Sequence, residues 1–332
     1  MTWEKTSTWN LGLDFSILRN RISGTIDTYI SQTSDLLLPS LLPSSTGYAS
    51  VMQNIGKTEN KGYEVQLKWN DKIGDEFRYW ANFNISFARN KIVYKNEVAQ
   101  NEEWMYETGR TIGSRSIYKF WGFYDETAEA RYQAEFGIPI ADHGLTLQPG
   151  DAVFVDLNKD GIIDGDDSSR DLSYTDTPEY TAGLNIGFSW KGWDFSAQFT
   201  GAWNVDRLLS EFRQPLGDTQ NKGLLLYQYE NTWRSSEDTY TAKFPRISKL
   251  AAANNYRGAD LYLCDASYLR LKSLEVGYNF NLPFMKKMKM NQCRLYVSAY
   301  NLFTITSLCG EIRNLVRVIV QITRLHVLLI LV

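Results

Sequence analysis

The sequence predicts an all-β chain: a portion of an antiparallel transmembrane β-barrel with tight turns at one end and long loops at the other. Three observations carry that expectation. Apolar side chains recur at every second position over strand-length runs, as in Trp9, Leu11, Leu13, Phe15 and Ile17, with Asn10, Gly12, Asp14 and Ser16 between them. Successive side chains of a strand point to opposite faces, so each run has one greasy and one wet face. The joints between runs are unequal, alternating very short turns with long links, which is the plan of an outer-membrane barrel. Aromatic residues crowd the short turns, as amphipathic rings do at a membrane boundary.

Taken in order, eight long strands are expected, near 8–18, 21–32, 59–70, 77–92, 178–191, 193–203, 267–281 and 291–305. Each exceeds the roughly nine residues a tilted strand needs to cross a bilayer core. The first two meet at Asn20. The second pair is joined roughly six residues after Trp69, and the third at Lys191 and Gly192. Trp69 and Tyr79, Trp190 and Trp193, then Tyr278, Phe280 and Phe284 place rings beside these joints. In the strand near 267–281, Leu269 and Leu271 share one face while Leu274, Val276 and Tyr278 take the other, so a β-bulge is expected at Lys272 and Ser273. The long links are 33–58, 93–177 and 204–266. Structureless links of that size count against a compact domain but suit extracellular loops.

Composition narrows the class. With 332 residues and 43% hydrophobic content the chain has ample apolar material, and a net charge of −3 gives no reason to expect a nucleic-acid partner. No run approaches the roughly 18 apolar residues of a membrane helix, which leaves barrels open because every second residue of their strands is polar. The odd cysteine count, Cys264, Cys293 and Cys309, argues against a disulfide framework. Met1 to Lys5 show no export-signal pattern, so a secreted barrel would need its true beginning elsewhere. Residues 1–306 read as partial barrel. Residues 307–332 form an atypical tail without aromatics or turn signals, read as the product of a frame shift, with an apolar strand or docking helix as the alternative.

One loop motif points to chemistry. Asp156, Asn158, Asp160, Gly161, Ile162, Asp164 and Asp167 follow the spacing of a calcium loop. Ile162 would offer its carbonyl at the seventh position, and Asp167 would stand where a bidentate Glu is usual. Hard Ca2+ wants several oxygens at short range, and the glycine permits the sharp turn that gathers them. Its role would be to stiffen a loop. Catalytic patterns are missing: the two histidines, His143 and His326, form no metalloprotease pair, and Gly187-Phe188-Ser189 lacks the closing glycine of a nucleophile elbow. A glycosidase pair drawn from distant strands stays open in principle. Asp14, Asp27 and Glu64, however, fall on wet strand faces, and no enzyme is expected.

Several stretches together resemble the SusC/RagA family of TonB-linked outer-membrane transporters. Asn54, Gly56, Asn60, Gly62 and Glu64 match an N-x-G-x-x-x-N-x-G-x-E strand entry, preceded by Leu36-Leu37-Leu38-Pro39 with Pro43, Thr46 and Gly47. Gly150 and Asp151, leading into the Asp156 to Asp164 loop, match a second segment. Asp265 to Lys272 with Gly277 and Tyr278, then Tyr296 to Thr304, resemble the family's penultimate strands. The resemblance covers nearly all of residues 9 to 306 and only the C-terminal third of the family's length. It implies a roughly 22-stranded barrel, import of an oligosaccharide or peptide, a SusD-type surface lipoprotein, energy from the TonB complex, and surroundings of outer-membrane lipid. It also implies that this stretch, without plug and TonB box, is not transport-competent alone. Two other readings compete. A small complete barrel with an adhesive or structural role would pair its first and last strands, and a soluble calcium-binding, carbohydrate-active β-protein would cover Leu11, Leu13, Phe83, Ile85, Ile186 and Phe199 with a second layer.

Overall fold

In the computed structural model, residues 2–41, 47, 50–209, 223–280, 290–308 and 326–331 are described. Nine strands form one sheet: β1 (Lys5–Ile17), β2 (Ile22–Leu41), β3 (Ser50–Ile73), β4 (Phe77–Tyr94), β5 (Tyr180–Trp190), β6 (Trp193–Trp203), β7 (Tyr268–Phe280), β8 (Met290–Thr306) and β9 (His326–Leu331). Each pairs antiparallel with its sequence neighbours, in the order of the chain. Among the described residues β1 pairs only with β2, so the sheet is open. That removes the small closed barrel, which needed the first and last strands to meet. No described helix is long and apolar enough to cross a membrane, a fact silent about strands.

The alternation becomes two continuous faces. Register aligns Leu13 with Ile26, Ile26 with Val65, Val65 with Ile85, Ile85 with Ala182, and Leu67 with Phe83, Leu184 and Phe199 in turn. This apolar face has no covering layer at its first strand, where Trp9 is 81% and Leu11 74% exposed. Such exposure contradicts the soluble reading, since water-facing domains rarely leave a contiguous apolar band bare. Aromatic rows bound the band. At the short-turn end Trp69 meets Tyr79 at 5.7 Å and Trp193 meets Tyr278 at 4.9 Å. At the long-loop end Phe87 lies between Tyr63 (5.4 Å) and Tyr180 (4.7 Å). From Tyr180 to Trp190 the strand advances about 33 Å at its usual rise, which a tilt of about 40° turns into roughly the 25 Å height of a barrel's lipid-facing band.

The turns follow the local chemistry. Lys191 and Gly192 both have positive φ (47° and 90°), the conformation of a two-residue hairpin turn that matches strand twist. Leu18, Arg19 and Asn20 are also left-handed, so the first turn spans the four residues between the paired Ile17 and Ile22 rather than Asn20 alone. The expected bulge is present: pairing skips between Leu271 and Ser273 on β7, answered on β6 between Gln198 and Phe199.

Two expectations need correction. Residues 33–58 are mostly strand rather than loop, because β2 and β3 continue their ladder to Leu41 and Ser50. They do so by shifting register at Thr33/Leu36 and Leu36/Leu37, with Asp35 in a left-handed conformation (φ 59°) that absorbs the kink. The eight long strands expected are all present, and a shorter ninth, His326–Leu331, pairs with β8 at the edge. Cys264 is disulfide-bonded and 3% exposed, so the odd count did not preclude a bridge. Phe284, Pro43, Thr46, Cys309 and the run Leu315 to Val320 lie outside the described residues.

The two remaining long links fold together at the long-loop end into a cap. Its core joins Ala141, Ala152, Phe154 and Ile163 of the first link to Ala259 of the second, and a second cluster gathers Phe244, Tyr256 and Tyr262. Helix α1 (Ala128–Phe136) buries Tyr132 completely against the first link.

Candidate functional site

Two surfaces come together where function would be expected: the polar face of the sheet and the cap at its end. On the polar face, Glu64 stands opposite Asp27, Asn82 opposite Asn185, and the Ser86 and Thr181 hydroxyls lie 2.7 Å apart. Arg294 is held by Asp194 and by Glu275 (2.5 Å), while Asn279 donates to Asp194 at 2.9 Å. Sharing one guanidinium between two carboxylates fixes all three side chains, because charge-assisted bonds are the strong ones. Aromatic rings cover glycines here. A Cβ on Gly62 would stand 2.6 Å from the Tyr29 ring, and one on Gly187 2.2 Å from Trp80. These glycines let large rings lie flat along the wall.

The cap is locked by one buried carboxylate. Asp151, fully buried, receives Arg246 through two bonds (Nε to Oδ1 2.6 Å, Nη2 to Oδ2 3.1 Å), Asn255 Nδ2 at 3.0 Å and the Gln148 amide at 2.9 Å. Gly150 beside it has φ +89°, and a Cβ there would meet the Trp233 ring at 2.2 Å. The Gly150-Asp151 pair noted in the sequence therefore has a physical reason: the backbone must turn left-handed beneath an indole and deliver a carboxylate to the other link. Asn254 and Asn255 complete the seam, giving Nδ2 to Ala152 O (2.8 Å) and accepting Ala152 N (3.0 Å). Sequence reasoning missed Arg246, Asn254 and Asn255, whose only signal was that they are polar residues in a long link.

His143 is a second fastener. The Phe154 amide can only donate, so Nε2 at 3.0 Å is the bare nitrogen and Nδ1–H donates to Ala141 O at 2.8 Å. Burial pushes its pKa down to about 4, against a smaller upward pull from the Ala141 carbonyl. A second proton would have to face an N–H donor. A neutral ring, 2% exposed and hydrogen-bonded on both nitrogens, holds a loop and is closed to substrate.

The six expected metal ligands fall into a tight Asx-rich loop. Asp156 accepts from Lys159 N (2.6 Å) and Gly161 N (2.9 Å), and Asp167 accepts from Leu157 N (2.8 Å) and Asp164 N (3.0 Å). Asn158 Nδ2 donates to Asp160 at 3.0 Å, and Asp164 accepts Asp166 N at 2.9 Å as the cap of a short 3-10 turn. Ile162 is exposed, its neighbours tied by Asp142 N to Gly161 O (2.9 Å) and Ile163 N to Asp142 O (2.8 Å). The loop thus brings Asp156 and Asp167 inward and leaves Asp160 and Asp164 outside. Burial raises the pKa of Asp167, and the nearby Asp156 charge adds to the rise. Among the described residues no group of three or more His, Cys, Asp or Glu side chains is drawn close enough to hold a metal.

Comparison with known proteins places this architecture. No family model matches the chain. It is 29% identical over 322 residues to TonB-dependent receptor P3 of Formosa agariphila, covering 93% of this chain and 30% of that protein. It is 28% identical over 314 residues to TonB-dependent receptor SusC of Bacteroides thetaiotaomicron, covering 93% and 29%. Among solved structures, the RagAB peptide importer in its open-open state superposes with a TM-score of 0.70 at 23% identity, over 93% of this chain and 32% of that one. The RagAB peptide transporter gives 0.68 at 22% identity. These last likenesses speak to the fold, and the chain spans about a third of the length of the relatives it matches. An up-and-down sheet with a bare apolar band, a polar reverse face and a folded cap is thus similar, along 93% of its length, to TonB-dependent receptors that include SusC.

Proposed function

We propose that this chain supplies an arc of outer-membrane wall and part of the extracellular cap of a nutrient importer. Its polar face would line the passage of an oligosaccharide or peptide. The two-faced sheet carries the reading: one face suits lipid between two aromatic rows, and the other carries charged and hydrogen-bonding groups beside aromatic rings laid over glycines. Nine strands in an open sheet do not enclose a pore. The passage would be closed by further strands added at the edges, and transport is proposed for the assembled receptor rather than for this arc. A surface lipoprotein of the SusD type and the TonB complex are the proposed partners, on the strength of the SusC relationship. The similarity to receptors supports a binding and transport role over an enzymatic one.

Spin labels at Leu184 and Asn185 test the wall. On the chain in lipid vesicles, a label at 184 should be relaxed by dissolved oxygen and one at 185 by a water-soluble nickel chelate. Equal response at both positions counts against a membrane wall.

The loop from Asp156 to Asp167 remains a proposed calcium site. Two buried carboxylates with only amide donors for company favour a cation, and Asn158, Asp160, Asp164 and the Ile162 carbonyl would have to turn inward to complete its shell. Calorimetric titration of the chain with CaCl2 should give one saturable site that Asp156→Asn removes. The absence of heat at millimolar calcium, the weak end for extracellular modules, would leave a metal-free turn.

A further inference from the structure

Just past the aromatic row at the long-loop end, the apolar face changes character. The next registered positions above Tyr63 and Phe87 are Lys61 and Arg89, followed by Glu59 and Lys91. With an unbroken dyad from Phe87 to Lys91, these cations stand on the same side of the sheet as the apolar band. Beside them is a cavity of about 280 Å³ where β4 runs on beyond the end of β5. Arg89, Lys91, Arg110 and Arg170 line it, against Asp171 and Glu179. Glu179 holds Arg89 and Asp171 holds Arg110, each at 2.6 Å, and Glu107 holds Arg170 at 3.3 Å, whereas Lys91 makes no ion pair among the described residues. Two further lining groups, the buried hydroxyls of Ser114 and Ser173, have no hydrogen-bond partner among the described residues. The cavity therefore presents one cation beyond its ion pairs, Lys91, and two donors without acceptors.

Lower on the same strands an apolar groove of about 430 Å³ opens between Phe83, Leu184, Phe199 and Trp203, with small Ala182 and Gly201 beneath it. Ala182 on β5 lies three residues from Glu179 at the cavity mouth. A cationic cavity directly above an apolar groove, on the face that meets the bilayer, matches one kind of molecule: an amphiphile with a phosphate-bearing anionic head and a hydrocarbon chain. Guanidinium groups recognise phosphate oxygens with directional bonds, and hydroxyl donors complete them.

We infer that the rim cavity and the groove below it form a site for an anionic membrane lipid, its phosphate head among Arg89, Lys91, Arg110, Ser114 and Ser173 and one chain along Phe83, Leu184 and Trp203. The inference rests on the membrane-wall reading. It goes further by naming one lipid class and one position on the wall.

Native mass spectrometry of the full chain in detergent micelles tests it, with dioleoyl phosphatidylglycerol, dioleoyl phosphatidylcholine and inorganic phosphate as probes. Phosphatidylglycerol should be retained over phosphatidylcholine by about five-fold for each cationic contact, the usual attraction of a basic side chain to an anionic bilayer component. Lys91→Gln should lower the preference about five-fold without altering the far-ultraviolet circular dichroism, and Ala182→Phe, which fills the groove, should lower retention of both lipids. Equal retention of the two lipids overturns the inference, as does inorganic phosphate displacing phosphatidylglycerol at equal concentration, which would mean an anion pocket with no use for the chain. Unchanged preference in Lys91→Gln also overturns it. The spin-label pair at 184 and 185 separates the failures: normal alternation with no lipid preference refutes only the lipid site, while lost alternation refutes the wall itself.

Discussion

The sheet and the cap are built by one chain on opposite principles. In the sheet, Trp9, Leu11 and Leu13 point their apolar side chains away from the protein, and stability there depends on hydrogen-bonded ladders plus whatever apolar medium meets the band. In the cap, Tyr132, Phe154 and Ala259 are turned inward, and charged groups such as Asp151 are sealed with their partners. On the proposed membrane-wall reading, hydrophobic burial therefore has two sources in this molecule, the bilayer for one region and the protein itself for the other. Substitutions should separate them.

The largest separation is expected from Asp151→Ala. It leaves the Arg246 guanidinium and Asn255 without their acceptor inside the seam, a loss of about 3–5 kcal/mol for a broken buried pair. Near-ultraviolet circular dichroism should show the cap melting early while the strand signal in the far ultraviolet persists. Simultaneous loss of both signals would mean that the two regions are one cooperative unit. Next comes Leu184→Arg, on the lipid side between Phe83 and Phe199. Urea titration in lipid vesicles should register a cost of about 2–4 kcal/mol, against little for Asn185→Arg one residue away. The cap should be indifferent to both.

A pH titration comes third, read through His143 of the cap. His143 has a folded pKa near 4, below its ordinary value of 6.5, because burial disfavours the charged ring. The unfolded chain takes up the proton first, so the cap should hold constant stability above pH 6.5. It should lose about 3 kcal/mol as pH falls from there to about 4, and level off below. Thermal melts of His143→Gln, followed in the near ultraviolet, should lack this slope.

The sheet was far more legible in the sequence than the cap. A period of two shows wherever one face is apolar, and even the bulge could be located, because the phase of Leu269 and Leu271 disagrees with that of Leu274 and Val276. The β2–β3 extension escaped because Asp35 and two register shifts break the alternation that would have revealed it. The tail at His326–Leu331 was left open between an apolar strand and a helix, because an unbroken apolar run has no period to read. The cap seam was invisible because Asp151 and Arg246 are 95 residues apart, and nothing local to either says that the other exists. The calcium motif, by contrast, was plain in the sequence. The structure gives its residues an Asx network that is hydrogen-bonded from within the loop.

The turn at Lys191 and Gly192 bears on the time course of folding. Between Asp151 and Arg246 lies the β5–β6 hairpin, whose strands leave and return at the same end of the sheet. Once that turn nucleates and the ladder zips from Trp190/Trp193 up to Tyr180/Trp203, the roots of both links are side by side. The search for the seam then closes about 72 residues of link instead of 95, an entropic gain of only about 0.2 kcal/mol, so what the hairpin supplies is the fixed placement of both link roots at one end of the sheet. A two-residue turn far from the cap is thereby a kinetic template for it, and slowing that hairpin should delay cap closure while leaving the cap's final stability unchanged.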